Sequence, residues 1–354
     1  METKIVRLGE GEKDEEVLRE AGEILKAGGL VAFPTETVYG LGGDALNPDS
    51  SRKIYAAKGR PSDNPLIVHI CKTEDLYKVA KEVPEAALRL AEAFWPGPLT
   101  MILKAGDLVP RETTGGLDTV AVRLPSHPGA RKMIECAGGF VAAPSANLSG
   151  RPSPTSAKYV IEDMDGRIDV ILDGGEVGIG LESTIVDLTV DPPQILRPGF
   201  ITGEMLKGVL GAVENDVTLF SAAKDQAPRA PGMKYRHYAP KGDLAIVQGD
   251  PEAVVTYVNE KLREAGQAGA KTGVIAASDT AGKYRADAVK TIGDRRDEEV
   301  IARRLYGILR EFDDENVTKI YSESFGDEAG KTGGLGQAIM NRLLKAAGHQ
   351  VIRL

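Results

Sequence analysis

The chain has 354 residues, 42% hydrophobic and 27% charged, which excludes a disordered, collagenous or fibrous protein and gives enough length for two domains. The net charge is -8, and its whole surplus sits in residues 1–210, with 23 Lys and Arg against 31 Asp and Glu, so a generally basic coat for nucleic acid is excluded. Two cysteines, Cys71 and Cys136, exclude a disulfide framework and a zinc finger, and with no signal-peptide or membrane-spanning run the expected compartment is the cytosol.

Taken in chain order, KIVRL reads as a short strand and residues 15–26 as a helix closed by Gly28-Gly29. LVAFPTETVYGLG then reads as a buried strand running into a turn. PLIVHI, LTMILK, TVAVRLP, GFVAAPSA, DVILDGG, STIVDLT and PQILRPG follow as β-rich runs. Helical patterns fall between some of them, at about 50–57, 74–81, 84–94, 128–137, 156–162 and 202–210. Strands and helices mixed in this way give an α/β or α+β class with a sizeable twisted sheet, and the excess of strands over helices argues against a regular doubly wound one.

Residues 211–240 read as a linker or lid. Between Gln226 and Lys241 the chain holds three prolines before Lys241 and no acid. From 241 to 354 the rhythm is a cleaner βαβ alternation. DLAIVQG, KTGVIAAS, NVTKIYSES and HQVIRL are separated by helices at 251–265, 297–312 and 335–347, which predicts a small parallel α/β domain.

Gly326 to Thr332 ends in GKT but has three residues between its glycines where a phosphate loop has four. HExxH, paired CxxC and GxSxG patterns are absent, and His69, His127, His237 and His349 lack metal-ligand spacing. The informative pattern is dispersed. Lys58-Gly59-Arg60-Pro61 lies in a turn-rich loop, Ser145-Ala146-Asn147 follows GFVAAP, Arg123 ends TVAVR, and Arg197 precedes Pro198-Gly199. Cations and hydroxyls at strand ends are how sheet proteins hold anions, Arg as a planar fork and Lys as a point charge.

PTETVYGLG, KGRPSDNPLIVHI, FWPGPLT, GLDTVAVRLP, APSANLSGRPSPT, ESTIVDL and ILRPG, in this order, resemble the YrdC/Sua5 family. PGMKYRHYAP and GLGQAIMNRLLKAAG extend the likeness into a Sua5-type linker and C-terminal domain, so it covers nearly the whole chain. The resemblance implies an α/β fold: an N-terminal YrdC-like domain (1–210) whose twisted mixed sheet encloses a concave, positively lined cavity, a linker (211–240), and a small Rossmann-like domain (241–354).

It also implies a threonylcarbamoyl-AMP synthase, a nucleotidyltransferase that makes L-threonylcarbamoyl-adenylate and pyrophosphate from L-threonine, bicarbonate and ATP. A separate transferase then uses the product to make N6-threonylcarbamoyladenosine at position 37 of tRNA. Direct contact with tRNA stays open. Carried onto this sequence, Lys58, Arg60, Ser145 and Asn147 form the catalytic signature. Thr35, Thr37, His69, Arg123 and Ser183 hold threonine, with Arg123 on its carboxylate. Asn64, Thr119, Ser153 and Arg197 complete the ATP site, over which Tyr235, Arg236 and His237 close. Magnesium is expected on the ATP phosphates, with Glu36, Glu182 and Asp187 as neighbouring carboxylates among which the sequence does not choose. Two alternatives are a double-stranded RNA-binding module, which the acidic first domain disfavours, and a carbamoyl-adenylate-forming carbamoyltransferase, which the lack of zinc-finger cysteines disfavours.

Overall fold

The computed structural model describes residues 2–9, 12–217, 219, 229–231, 237–326 and 334–354. The chain forms two compact units, one from residues 1–149 and 153–234, the other from 150–152 and 235–354.

The first unit is built on eleven strands: β1 (Lys4–Arg7), β2 (Val31–Phe33), β3 (Gly40–Asp44), β4 (Ile67–Ile70), β5 (Leu99–Lys104), β6 (Thr119–Arg123), β7 (Phe140–Ala142), β8 (Val170–Asp173), β9 (Thr184–Asp187), β10 (Gln194–Arg197) and β11 (Glu214–Asn215). They form one sheet in the order β1-β8-β2-β3-β7-β4-β6-β5-β9-β10-β11. The sheet is mixed as expected: β4–β6 and β5–β9 are parallel, whereas β5–β6, β4–β7 and β9–β10 are antiparallel. The β-branched runs named from sequence all become strands.

β3 was not expected as a strand. Its sequence GLGGD is weak by propensity, but β2 and β7 flank it so closely that a Cβ on Gly42 would lie 3.0 Å from both the Phe33 ring and Val141. Glycine is there for clearance. Helices 12–26 and 128–136 cover one end of the sheet through a core of Leu18, Leu25, Phe33, Met133, Ile134 and Val141.

The second unit has five parallel strands, β12 (Asp243–Gln248), β13 (Thr272–Ala277), β14 (Ala288–Gly293), β15 (Lys319–Glu323) and β16 (Val351–Arg353), ordered β14-β13-β15-β12-β16. β14 is an additional strand, paired in parallel with β13, that the βαβ rhythm of the sequence does not announce. Helices Pro251–Gln267, Glu298–Asp314 and Leu335–Ala346 connect the strands where expected. Gly150–Pro152 is integral to this unit. The fully buried Arg310 donates from Nε and Nη2 to the Pro152 carbonyl at 3.1 and 2.6 Å, and Ala239 N donates to Gly150 O at 2.9 Å. The GKT segment, apart from Gly326, lies outside the described residues.

Candidate active site

Strand alternation sorts the side chains of β4, β5, β6 and β9 onto two faces. Val68, Ile70, Met101, Leu103, Val120, Val122 and Val186 enter the main core of the first unit. The other face carries Ile67, Ile102, Ala121 and Ile185, a much smaller cluster completed by Leu196 and Ala230. On that same face, two residues further along, stand His69, Thr100, Arg123 and Ser183. Register pairs Arg123 with both His69 and Thr100. Helices 12–26 and 128–136 cover this face through Val31 and Phe33 of β2, Val141 of β7, and Val170 and Leu172 of β8.

The loop before β3 supplies the next layer. Thr35 Oγ1 donates to Val38 O at 2.6 Å, lies 2.9 Å from Thr37 Oγ1, and accepts from the backbone N–H of Thr37 and Val38. This hydroxyl-centred turn fixes the loop and sends Glu36 towards β6, where Arg123 Nη2 meets Glu36 Oε1 at 2.7 Å.

Lys58 ends the helix Pro48–Lys58, and Gly59, at φ 60°, caps it in the left-handed conformation that turns the chain into Arg60. Lys58 is 2% exposed, and its Nζ donates to the carbonyls of Ser145, at 2.5 Å, and Asn147. Ser145 Oγ donates to Asn147 Oδ1 at 2.5 Å, and Ser145 bridges to Gly40 at the start of β3. Lys58, Ser145 and Asn147 therefore form one hydrogen-bonded group. Arg60 Nη2 reaches the carbonyls of Asn64, at 3.3 Å, and Pro65, at 3.2 Å.

Beside β9, Arg197 donates from Nε to Ser183 O at 3.0 Å and from Nη2 to Ser183 Oγ at 3.1 Å, while Ser183 and Thr100 share a 2.8 Å hydroxyl contact. Ser153 Oγ donates to Glu182 Oε1 at 2.5 Å. Residues 229–231 of the linker lie on this face too: Ala230 is buried in the small cluster, Arg229 pairs with Asp187 and Asp216, and Arg197 Nη1 donates to Pro231 O at 3.4 Å.

One expected ATP-site residue, Thr119, stands apart from these groups within the first unit. Thr119 is on the same face as Arg123 but at the other end of β6, about 13 Å away at ~3.3 Å per residue. There it lines an open cavity of about 730 Å³ with Lys81, Lys104, Arg111 and Asp118. His237 is buried in the second unit, its ring 5.5 Å from that of Tyr238. Tyr235 and Arg236 lie outside the described residues. The carboxylates considered for the metal are each engaged separately, Glu36 by Arg123, Glu182 by Ser153, and Asp187 by Thr189 and Arg229. Among the described residues no group of three or more His, Cys, Asp or Glu could hold a metal ion.

Thr100 was not anticipated. LTMILK reads as an ordinary strand, and only the register with Arg123 reveals the side chain's place.

Burial, followed by the positive charge of Arg123, pushes the His69 imidazole down to about 3. The ring is therefore neutral at physiological pH and offers hydrogen bonding, not charge. Because its unperturbed value is 6.5, the folded state binds fewer protons than the unfolded state between those two values. The resulting stability is full above pH 6.5 and is lost as pH falls towards 3. His69→Asn is expected to flatten the acid-side decline of the melting midpoint between pH 6.5 and about 4; equal slopes would refute this assignment.

The Sua5/YciO/YrdC family model, described as "Telomere recombination", matches residues 23–199, and the model described as "Threonylcarbamoyl-AMP synthase, C-terminal domain" matches residues 201–348. The chain is 48% identical over 337 residues to a threonylcarbamoyl-AMP synthase of Pyrococcus abyssi, covering 95% of this chain and 96% of that one. It is 49% identical over 338 residues to a threonylcarbamoyl-AMP synthase of Bacillus subtilis, covering 95% and 94%. The crystal structure of Pyrococcus abyssi Sua5 complexed with L-threonine superposes with a TM-score of 0.91 at 46% identity, covering 100% of each chain. No helix among the described residues is long and apolar enough to cross a membrane.

Proposed function

This chain belongs to the Sua5/YrdC family of threonylcarbamoyl-AMP synthases, and from that premise we propose that it condenses L-threonine, bicarbonate and ATP into L-threonylcarbamoyl-AMP. Threonine's amine and bicarbonate combine into a carbamate with loss of water. A carbamate oxygen then attacks the α-phosphorus of ATP, and pyrophosphate leaves. Bicarbonate, the carbamate and ATP are all anionic, so the chief obstacle is charge repulsion, together with charge developing on the leaving group. Fixed cations and hydroxyls meet that need better than an acid–base dyad would.

The observation that carries this reading is the sheet face itself. It brings Arg123, His69, Thr100 and Ser183 into one neighbourhood and runs through the Thr35–Thr37 loop and β3 to the Lys58–Ser145–Asn147 group. Arg123 receives the threonine carboxylate, with Thr35, Thr37, His69 and Ser183 around it. Lys58, Arg60, Asn64, Ser145, Asn147, Ser153 and Arg197 face the nucleotide, and Thr119 marks its far end. Magnesium arrives on the ATP phosphates as part of the substrate, because the carboxylates nearby are separately paired. Working in the cytosol, the enzyme hands its product to a transferase that modifies tRNA at position 37.

The decisive assay measures pyrophosphate from purified full-length protein. Release should require threonine, bicarbonate and magnesium together and stop on chelation. Release that ignores threonine, or that proceeds with carbamoyl phosphate in place of bicarbonate and threonine, would overturn the reading.

A further inference from the structure

The Arg123–Glu36 ion pair has two unused polar atoms, and they are of opposite kinds. The contact at 2.7 Å joins Nη2 to Oε1, between side chains only 4% and 14% exposed. Glu36 Oε2, an acceptor, and Arg123 Nε, a donor, are both buried without a hydrogen-bond partner among the described residues. Buried polar atoms are almost always satisfied in native proteins, by protein, water or ligand, because desolvation without a partner is unfavourable. An orphan acceptor beside an orphan donor is the complement of a zwitterion, which carries an ammonium donor and a carboxylate acceptor on neighbouring atoms.

We propose that Glu36 receives the α-ammonium group of L-threonine through Oε2 while Arg123 Nε takes the α-carboxylate. The inference rests on the threonine-binding reading above and adds the group that selects for an amine. Charge supports it. Arg123 alone would accept any small carboxylate, including hydroxy acids of similar shape. A carboxylate fixed beside the guanidinium repels a second anion lacking a positive group and attracts one that has it. Among the described residues, Arg123 is the cation that contacts Glu36, so an incoming ammonium at Oε2 meets no bonded competitor. Thr35 and Thr37, on either side of Glu36 in sequence, are tied to each other and to Val38, so the loop presents its carboxylate from a fixed backbone.

The competing role is that Glu36 only orients Arg123. Calorimetric titration of the full chain with L-threonine and with (3R)-3-hydroxybutyrate separates the two roles, because the second ligand keeps the carboxylate and hydroxyl but has hydrogen in place of the ammonium. The wild-type protein should bind threonine at least about tenfold more tightly than hydroxybutyrate, and Glu36→Gln should shrink that ratio about tenfold, chiefly by weakening threonine. Glu36→Ala should shrink it similarly and serves where the Gln variant does not melt cooperatively. If Glu36 only orients Arg123, both ligands weaken by the same factor and the ratio is unchanged, which overturns the proposal while leaving threonine binding intact. Failure of the wild-type protein to bind threonine would instead remove the functional reading, and this inference with it.

Discussion

Lys58→Ala is expected to lower threonine-dependent pyrophosphate release by at least about a hundredfold, the scale seen when one preorganised stabilising group is deleted from a site that develops charge. The lysine is nearly fully buried, and its ammonium group sits on the carbonyls of Ser145 and Asn147, so it holds the turn that presents their side chains as well as supplying charge. Both consequences can be read separately. Loss of the donor leaves two carbonyls without it and should reduce stability by about 1–3 kcal/mol for each one left unsatisfied. Lys58→Gln keeps a donor but no charge. It should recover part of the melting midpoint and little of the activity. A variant lacking the charge but within tenfold of wild-type turnover would show that Lys58 is structural only.

Arg123→Gln should raise the KM for threonine by about a hundredfold or more and leave the KM for ATP within a few fold. Truncating one member of a buried, hydrogen-bonded charge pair commonly costs ~2–5 kcal/mol, much of it from the charge left behind. Here that charge is Glu36, buried in the same pair. The fold should suffer as well, by about 3–5 kcal/mol, unless the partner is removed with it. The double variant Arg123→Met with Glu36→Leu is thus expected to regain much of the lost stability and none of the threonine affinity. Recovery of activity in the apolar pair would place threonine elsewhere on the sheet.

The sequence made much of this visible, for identifiable reasons. Runs such as LTMILK and TVAVR announce strands because both faces are buried, and KGR and SAN stand out because turn residues flank charged or polar groups. What it hid depends on register and clearance. Thr100 is one β-branched residue in a strand, and nothing local shows that it lies opposite Arg123. Glu36 reads as one of three carboxylates near the metal, and nothing local shows its partner Arg123, 87 residues further along the chain. β3 hides behind its glycines because the reason for them is the Phe33 ring across the sheet. The four-residue helix Arg111–Thr114 is too short to show a period.

The second unit's composition limits how such a gene can be cut and rejoined. Because Gly150–Pro152 is part of that unit, its coding sequence is interrupted: a short word near the middle of the gene and a long passage at the end. Recombination at one breakpoint in the linker would carry off the long passage without the Pro152 carbonyl that Arg310 holds. Shuffling that moves this unit intact must therefore transfer two separated segments.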